Sequence, residues 1–349
     1  MDTRDTPEQA ELRRAARQLA SRLGPATVAD LADETRAKRL AVAVRDAGWL
    51  ELRDVGQEGP PLAGGVEVAI VADALGAAVG DVAFAGPVLA RDLARRAGAT
   101  AMEGSVVGFS SPLRDAALVT GAVTASPIFG VDAGDGIVAA LVLVPDAEGF
   151  RLAQVRGERT GGPTTATDLT RNVRVIPAGT PVHAIAGQTR RLTRDDLAQW
   201  SALGLAVTSA DLVGVMRGVL DVTVAYASER RQFGVPVGSF QAVQHLLADA
   251  HCLMEGSLSV ALHASWSVDN RSPDDACEAG RIAKAYCARA ARTVCETAVQ
   301  VHGGIGNTWD CVVHVYLRRA LLSSQWFGDD AAQLAELQEL RLGATRGLS

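Results

Sequence analysis

The sequence predicts an α+β chain in three parts: an N-terminal helical domain over residues 1–104, a small antiparallel β-domain over 105–188, and a C-terminal four-helix bundle over 189–349. Three observations predict it. Apolar residues recur at helical spacing at both ends of the chain but give way in the middle to short β-branched runs, so the hydrophobic period shifts from 3.6 to 2 and back. Glycine, proline and aspartate separate those short runs from one another. At 349 residues the chain is longer than one core usually serves.

In the first part Thr6 is placed to cap a helix opening at Pro7-Glu8-Gln9, which carries Leu12, Ala15, Ala16, Leu19 and Leu23. Further helices are expected over 37–50, over 65–75 closed by Gly76, and over 88–97 closed by Gly98, with a breaker-rich loop at 57–65. In the middle part the runs 106–110, 116–123, 136–145 and 172–176 suit the strands of a modest antiparallel barrel or sandwich. In the last part Thr193, followed by Asp195 and Asp196, is a good N-cap with acids in the first turn. An alanine-rich apolar segment then covers 202–227, and others cover 243–267, the stretch from the capping loop 270–275 to Val301, 313–326 and 331–342, completing an antiparallel bundle.

Composition excludes several classes. A chain 48 % hydrophobic and 21 % charged reads as globular rather than disordered, and a net charge of -6 argues against nucleic acid as a partner. No apolar run reads as long enough to span a bilayer and Met1-Asp-Thr-Arg-Asp5 is no signal peptide, so a cytoplasmic protein with no membrane partner is expected. Cys252, Cys277, Cys287, Cys295 and Cys311 form no C-x-x-C pair; they read as reduced thiols packed in helices, with no metal expected.

Two stretches carry the chemistry. Between two long helical patterns Gly234, Pro236 and Gly238 break the helix, and Arg230, Arg231, Phe233 and Gln241 gather at the break. Taken alone this is more readily a solvated inter-helix turn than a site. Some sixty residues on, Gln300-Val-His-Gly-Gly-Ile-Gly306 closes an alanine-rich helix. Its paired glycines either cap that helix or let backbone amides approach a phosphate, for which Arg230 offers a fork-shaped cation. Arg230, Gln232-Phe233-Gly234, Pro236, Phe240-Gln241, Gln244-His245, Leu247-Ala248-Asp249, Lys284, Gln300, Gly303-Gly304 and Gly306 together resemble, in identity and spacing, the C-terminal signatures of the acyl-CoA dehydrogenase family. Trp49-Leu50 and Ala74-Leu75-Gly76 have analogues in that family's N-terminal helices.

The resemblance implies an FAD-dependent oxidoreductase that desaturates an acyl-CoA thioester between its α and β carbons. It implies FAD held across a subunit interface by Arg230, Phe233, Gln241, Gln300, Gly303 and Gly304, with electron-transfer flavoprotein or a similar acceptor downstream. The middle part departs from the family. Ser110-Ser-Pro-Leu-Arg114 replaces an acidic, glycine-rich loop, and 120–128 stands where the family has a strand bearing tryptophan or tyrosine. The implied reaction needs a carboxylate base at the proton α to the thioester. Family members place a glutamate at one of two positions, which fall here on Phe327, past Arg318-Arg319-Ala320, and on Gly204, ahead of Glu229. Neither takes a proton. The nearby acid is Asp310, a candidate base or a helix-capping residue; Asp329 reads as solvated, His302 as a flavin neighbour and His314 as a helix-surface residue.

Three functional classes follow. The chain is a base-lacking subunit of a heteromeric acyl-CoA dehydrogenase, resembling the short actinobacterial sterol-side-chain type that joins a longer, glutamate-bearing subunit in an α2β2 heterotetramer. Or it is a stand-alone, homo-oligomeric dehydrogenase with Asp310 as base. Or it is a non-redox binding or assembly protein on the same scaffold. The vacant base positions favour the first over the second, and the retained Arg230, Gln241 and Gln300 favour it over the third.

Overall fold

In the computed structural model, which describes residues 4–55, 60–134, 138–157 and 167–346, local chemistry sets the helix ends. Helix α1 (Pro7–Leu23) opens with a capping box: Thr6 Oγ1 accepts from the Gln9 amide and the Gln9 side chain accepts from the Thr6 amide, with proline where a donor is not needed. Helix α2 (Glu34–Asp46) is capped by Asp33 and followed by a 3-10 turn at Trp49–Glu51. Residues 57–59 of the expected breaker-rich loop lie outside the described residues. Helix α3 (Gly65–Ala77) is apolar on every side and accordingly buried, and α4 (Ala85–Arg96) follows.

Six strands form one sheet: β1 (Val106–Phe109), β2 (Ile128–Val131), β3 (Val138–Asp146), β4 (Gly149–Gly157), β5 (Val173–Ile176) and β6 (Val182–Ala184), in the order β5-β2-β1-β3-β4-β6. β1 and β3 run parallel and the other pairs antiparallel, so the sheet is mixed, not antiparallel as expected. The reason is the route: the chain leaves β1 to pair β2 on one flank, then crosses back to lay β3 on the other. The run 116–123 forms no strand. It is extended, but touches the ladder only through single bridges at Ala116, Leu118 and Val123. Of the stretch 120–128, only Ile128 enters a strand. β4 was hidden in the sequence because Arg151 and Arg156 interrupt its pattern while Gln154 is buried among apolar neighbours. Asp132, just past β2, accepts from the amides of Phe84 (2.9 Å) and Gly86 (3.1 Å), so the sheet caps the helix that precedes it.

The described C-terminal residues form five helices, the first of which joins the segment opened at Thr193 to the expected run 202–227: α5 (Arg194–Glu229), α6 (Gln241–Asn270), α7 (Pro273–His302), α8 (Val313–Gln325) and α9 (Asp330–Arg346). The Thr193 cap and the apolar run beyond it belong to one unbroken helix of 36 residues, because burial on all sides outweighs the weak local propensity around Trp200 and Gly204. α5 is the axis of the fold. α3 crosses it so closely that a Cβ on Gly214 would overlap the Asp73 carbonyl. Contrary to expectation, α5 is long and apolar enough by composition to cross a bilayer, but 94 % of its most apolar window is buried inside the chain. A hairpin of two short strands, β7 (Arg231–Gln232) and β8 (Val235–Pro236), joins α5 to α6. All five cysteines are free; four are buried and Cys252 is exposed.

Candidate functional site

The two positions where the resemblance seeks a base lie against each other. Gly204 is on α5, and Phe327 sits in the turn after α8. A Cβ added to Gly204 would overlap three ring carbons of Phe327. The ring is 4 % exposed and packs against Phe109 (centroids 5.2 Å apart), Trp200 (5.3 Å) and Trp326 (5.9 Å). Its backbone is held in the left-handed region at φ 66°, its amide donating to the Leu113 carbonyl at 2.9 Å. Leu113 belongs to the segment that replaces the family's acidic loop, and the neighbouring Arg114 pairs with Glu336 of α9. A residue far along the chain therefore fills the space that a side chain at position 204 would need. Where the family's chemistry calls for a carboxylate there are four aromatic rings and no proton acceptor.

A buried ion cluster holds this arrangement. Asp211 of α5 accepts from Arg319 Nη2 at 2.7 Å and from Ser323 Oγ at 2.8 Å, both on α8, and pairs with Arg171 Nη2 at 2.8 Å. Burial pushes the Asp211 carboxyl up, but Arg171 and Arg319 outweigh it and hold it below the usual carboxylate range. Arg319 occupies the middle of the triplet Arg318-Arg319-Ala320, where the family carries an acid; Asp211 supplies the acid from the facing helix. Lys284 of α7 is fully buried and donates to the Ser323 carbonyl, and burial brings its ammonium down to about 7.

The other candidates gather at the far end of the bundle. The rings of Tyr226 on α5 and His302 on α7 stack at 4.2 Å, which sets the ends of these two helices side by side. Arg230 caps α5, Gln241 begins α6, Gln300 is in the last turn of α7, and Gly303 and Gly304 lie in the 3-10 turn after it. All five are exposed, as is Phe233, at 95 %. A Cβ on Gly303 or Gly304 would meet nothing within 4 Å, and Gly303 has φ 67°. An open glycine backbone, an exposed arginine and two amide side chains suit the pyrophosphate and adenine end of FAD. Asp310 is exposed in the turn before α8. That helix, about 20 Å long at 1.5 Å per residue, separates it from Phe327. His302 packs on Tyr226, with Nδ1 2.8 Å from the Ala298 carbonyl oxygen. His314 is buried rather than on the helix surface, and Asp329 caps α9 through the Ala332 amide at 2.9 Å. Sequence reasoning missed Asp211 and the rings of Phe109 and Trp200. The one usable signal was the arginine in the triplet, whose charge demanded an acid on a facing helix.

Residues 203–340 match the family model for the C-terminal domain of acyl-CoA dehydrogenase. Acyl-CoA dehydrogenase IpdE2 of Mycolicibacterium smegmatis is 30 % identical over 285 residues, covering 78 % of this chain and 84 % of that protein. A chain of the ChsE4-ChsE5 complex from Mycobacterium tuberculosis shares the fold, with a TM-score of 0.75, 23 % identity, and coverage of 98 % of this chain and 99 % of that one. So does a chain of the Tcur3481-Tcur3483 steroid ACAD G363A variant, with a TM-score of 0.73, 22 % identity, and coverage of 97 % and 99 %. The chain belongs to the acyl-CoA dehydrogenase family. FAD is the cofactor of that family and of this member, and membership supports an oxidoreductase acting on acyl-CoA thioesters.

Proposed function

We propose that this chain is the base-lacking subunit of a heteromeric acyl-CoA dehydrogenase, two copies joining two copies of a longer, glutamate-bearing relative in the cytoplasm. The observation that carries the reading is the contact between Gly204 and Phe327: both base positions are not merely vacant but packed against each other. The proposed division is a helical domain to residue 104, a β-domain to 188, and the bundle beyond. Arg230 would neutralise the FAD pyrophosphate, Gly303 and Gly304 would bring amides to it, and Phe233, Gln241 and Gln300 would hold the cofactor's outer end against the partner. FAD, when bound, supplies the hydride acceptor, and electron-transfer flavoprotein or a similar carrier would take the electrons onward. Exposed Phe233, Val235, Phe240 and Leu246 cluster around the hairpin, an apolar surface that a partner subunit would cover. The described steroid ACAD neighbour makes a sterol-side-chain acyl-CoA the first substrate to try. Asp310 as the base of a stand-alone enzyme is the second reading, and the length of α8 between it and Phe327 weighs against it. Flavin content tests the assignment. Arg230→Ala in the co-expressed complex should weaken flavin affinity about 30-fold, the equivalent of the roughly 2 kcal/mol of a charge-assisted phosphate contact. Unchanged flavin content in that variant would remove Arg230 from the site.

A further inference from the structure

Lys38 and Lys284 are the chain's only lysines. Lys38 is exposed and pairs with Glu34, whereas Lys284 of α7 is fully buried and reaches the end of α8. The last carbonyls of a helix have no partner within it. At this end the Gln325 carbonyl accepts from the Gly328 amide at 2.9 Å, and the Ser323 carbonyl accepts from the Lys284 ammonium. A cation there also meets the negative end of the helix dipole. Ser323 passes the contact on. Its Oγ donates to Asp211 at 2.8 Å and accepts from Arg171 Nη1 at 2.6 Å, and the Arg171 guanidinium lies over the Trp326 ring at 5.6 Å. Trp326 is 1 % exposed and its Nε1 has no hydrogen-bond partner among the described residues, so packing and that cation hold the ring. The groups that face Lys284 are Asp211 of α5, Cys287 on its own helix, Arg171 from the segment before β5, and Asp329 from the turn after α8. Beyond them Arg319 bonds Asp211, Asp132 lies 3.7 Å from Arg171, and Asp168 is linked to Arg319 through the Thr170 hydroxyl. Burial lowers the ammonium from 10.5 to about 7 against the pull of Cys287 and Asp211, and burial pushes the Cys287 thiol up to about 12. Of these two the amine, not the thiol, changes charge near neutral pH.

We propose that Lys284 is a positioning residue: its charge fixes the turn 326–328, which carries the family's commoner base position, and its loss of a proton loosens the aromatic enclosure around Phe327. Protonated, it ties α7 to the end of α8 by a charge-assisted bond. Neutral, it keeps only an ordinary hydrogen bond and no longer offsets Asp211. The inference concerns this chain's own turn and stands whether or not a partner supplies the base. NMR of the full chain carrying isotope-labelled lysine and tryptophan tests it, because the lysines give one exposed and one buried signal. Lys38 should titrate in the ordinary lysine range and Lys284 with a midpoint near 7. The Trp326 indole signal, assigned by its loss in Trp326→Phe, should move with the Lys284 midpoint. Lys284→Met should abolish that movement, and Lys284→Arg should hold the signal at its low-pH position throughout, since a guanidinium keeps its charge. Where Lys284→Met does not fold, Ser323→Ala serves instead: it cuts the hydroxyl link, keeps the carbonyl, and should shrink the Trp326 shift while Lys284 still titrates. A Lys284 signal that titrates only with Lys38, a Trp326 signal that stays put while Lys284 titrates, a Trp326 titration that persists in Lys284→Met, or an undiminished Trp326 shift in Ser323→Ala would each overturn the proposal.

Discussion

Phe327 occupies, with one phenyl ring, the position on which the family's commoner reaction base would fall. Its ring is enclosed by Phe109, Trp200 and Trp326 and rests on the bare backbone of Gly204. Phe327→Ala should lose about 3–5 kcal/mol of stability in urea unfolding, the usual cost of emptying a buried aromatic site. Phe327→Glu should not create turnover in the isolated chain, because the carboxylate would enter an aromatic enclosure that favours its neutral form. Rates rising to those of a complete enzyme would show that the site was otherwise intact. At the same scale, Asp92 of α4 is fully buried and accepts from Arg53 (3.0 Å), Arg95 (2.8 Å) and Arg96 (2.7 Å). Burial raises its carboxyl, but Arg96, Arg53 and Arg95 outweigh burial and bring it from 3.8 down to about 2. A carboxyl lowered on folding stabilises above its unfolded value and loses that contribution as pH falls. Roughly 2 kcal/mol should therefore disappear between pH 4 and 2. Urea midpoints measured across that interval should fall less steeply in Asp92→Asn than in the parent. The vacancy of both base positions was legible through the family resemblance, which places them by their distance from Arg318-Arg319-Ala320 and from Glu229. Their contact was not, because it joins residues far apart in sequence through a turn whose path no local pattern encodes.

At the scale of elements, α8 is fastened to α5 by charge as well as by packing. Asp211→Ala would leave Arg319 and Arg171 buried without their shared acid, and breaking such a pair costs about 3–5 kcal/mol. The melting temperature should fall accordingly, and the tryptophan fluorescence of the enclosure around Phe327 should shift with it; a variant as stable as the parent would mean that packing alone positions α8. The helices were the readable elements. Thr6 with Gln9 and Thr193 with Asp196 form the capping boxes that the sequence offers, and the apolar spacings locate α6 and α7. The sheet was less readable. β1 and β3 announce themselves as β-branched runs, whereas β2 contains Gly130, β4 mixes arginine with apolar residues, and β6 is three residues long. Pairing with neighbours rather than local preference makes these strands, and the parallel β1–β3 register depends on a crossover that periodicity does not record.

Over the whole molecule, the two ends of the bundle have opposite characters. Around Gly204 the chain is closed and aromatic. Around Arg230 it is open, with a glycine turn, an exposed cation and Phe233 standing in solvent. The residues proposed for the flavin were legible as a set because two short motifs resemble the family's signatures; that they share one end of the fold follows from the antiparallel run of α5, α6 and α7. A chain closed at its own reaction centre and open at its cofactor end fits one half of a shared site, with the base on another subunit. The most direct test is anaerobic flavin bleaching by a saturating acyl-CoA, followed for this chain alone and for its complex with a longer, glutamate-bearing relative, both loaded with FAD. The account predicts bleaching by the complex and, in the solitary chain, a rate lower by about 10²- to 10⁴-fold for want of a positioned base. Full-rate bleaching by the solitary chain, abolished by Asp310→Asn, would contradict it and make Asp310 the base.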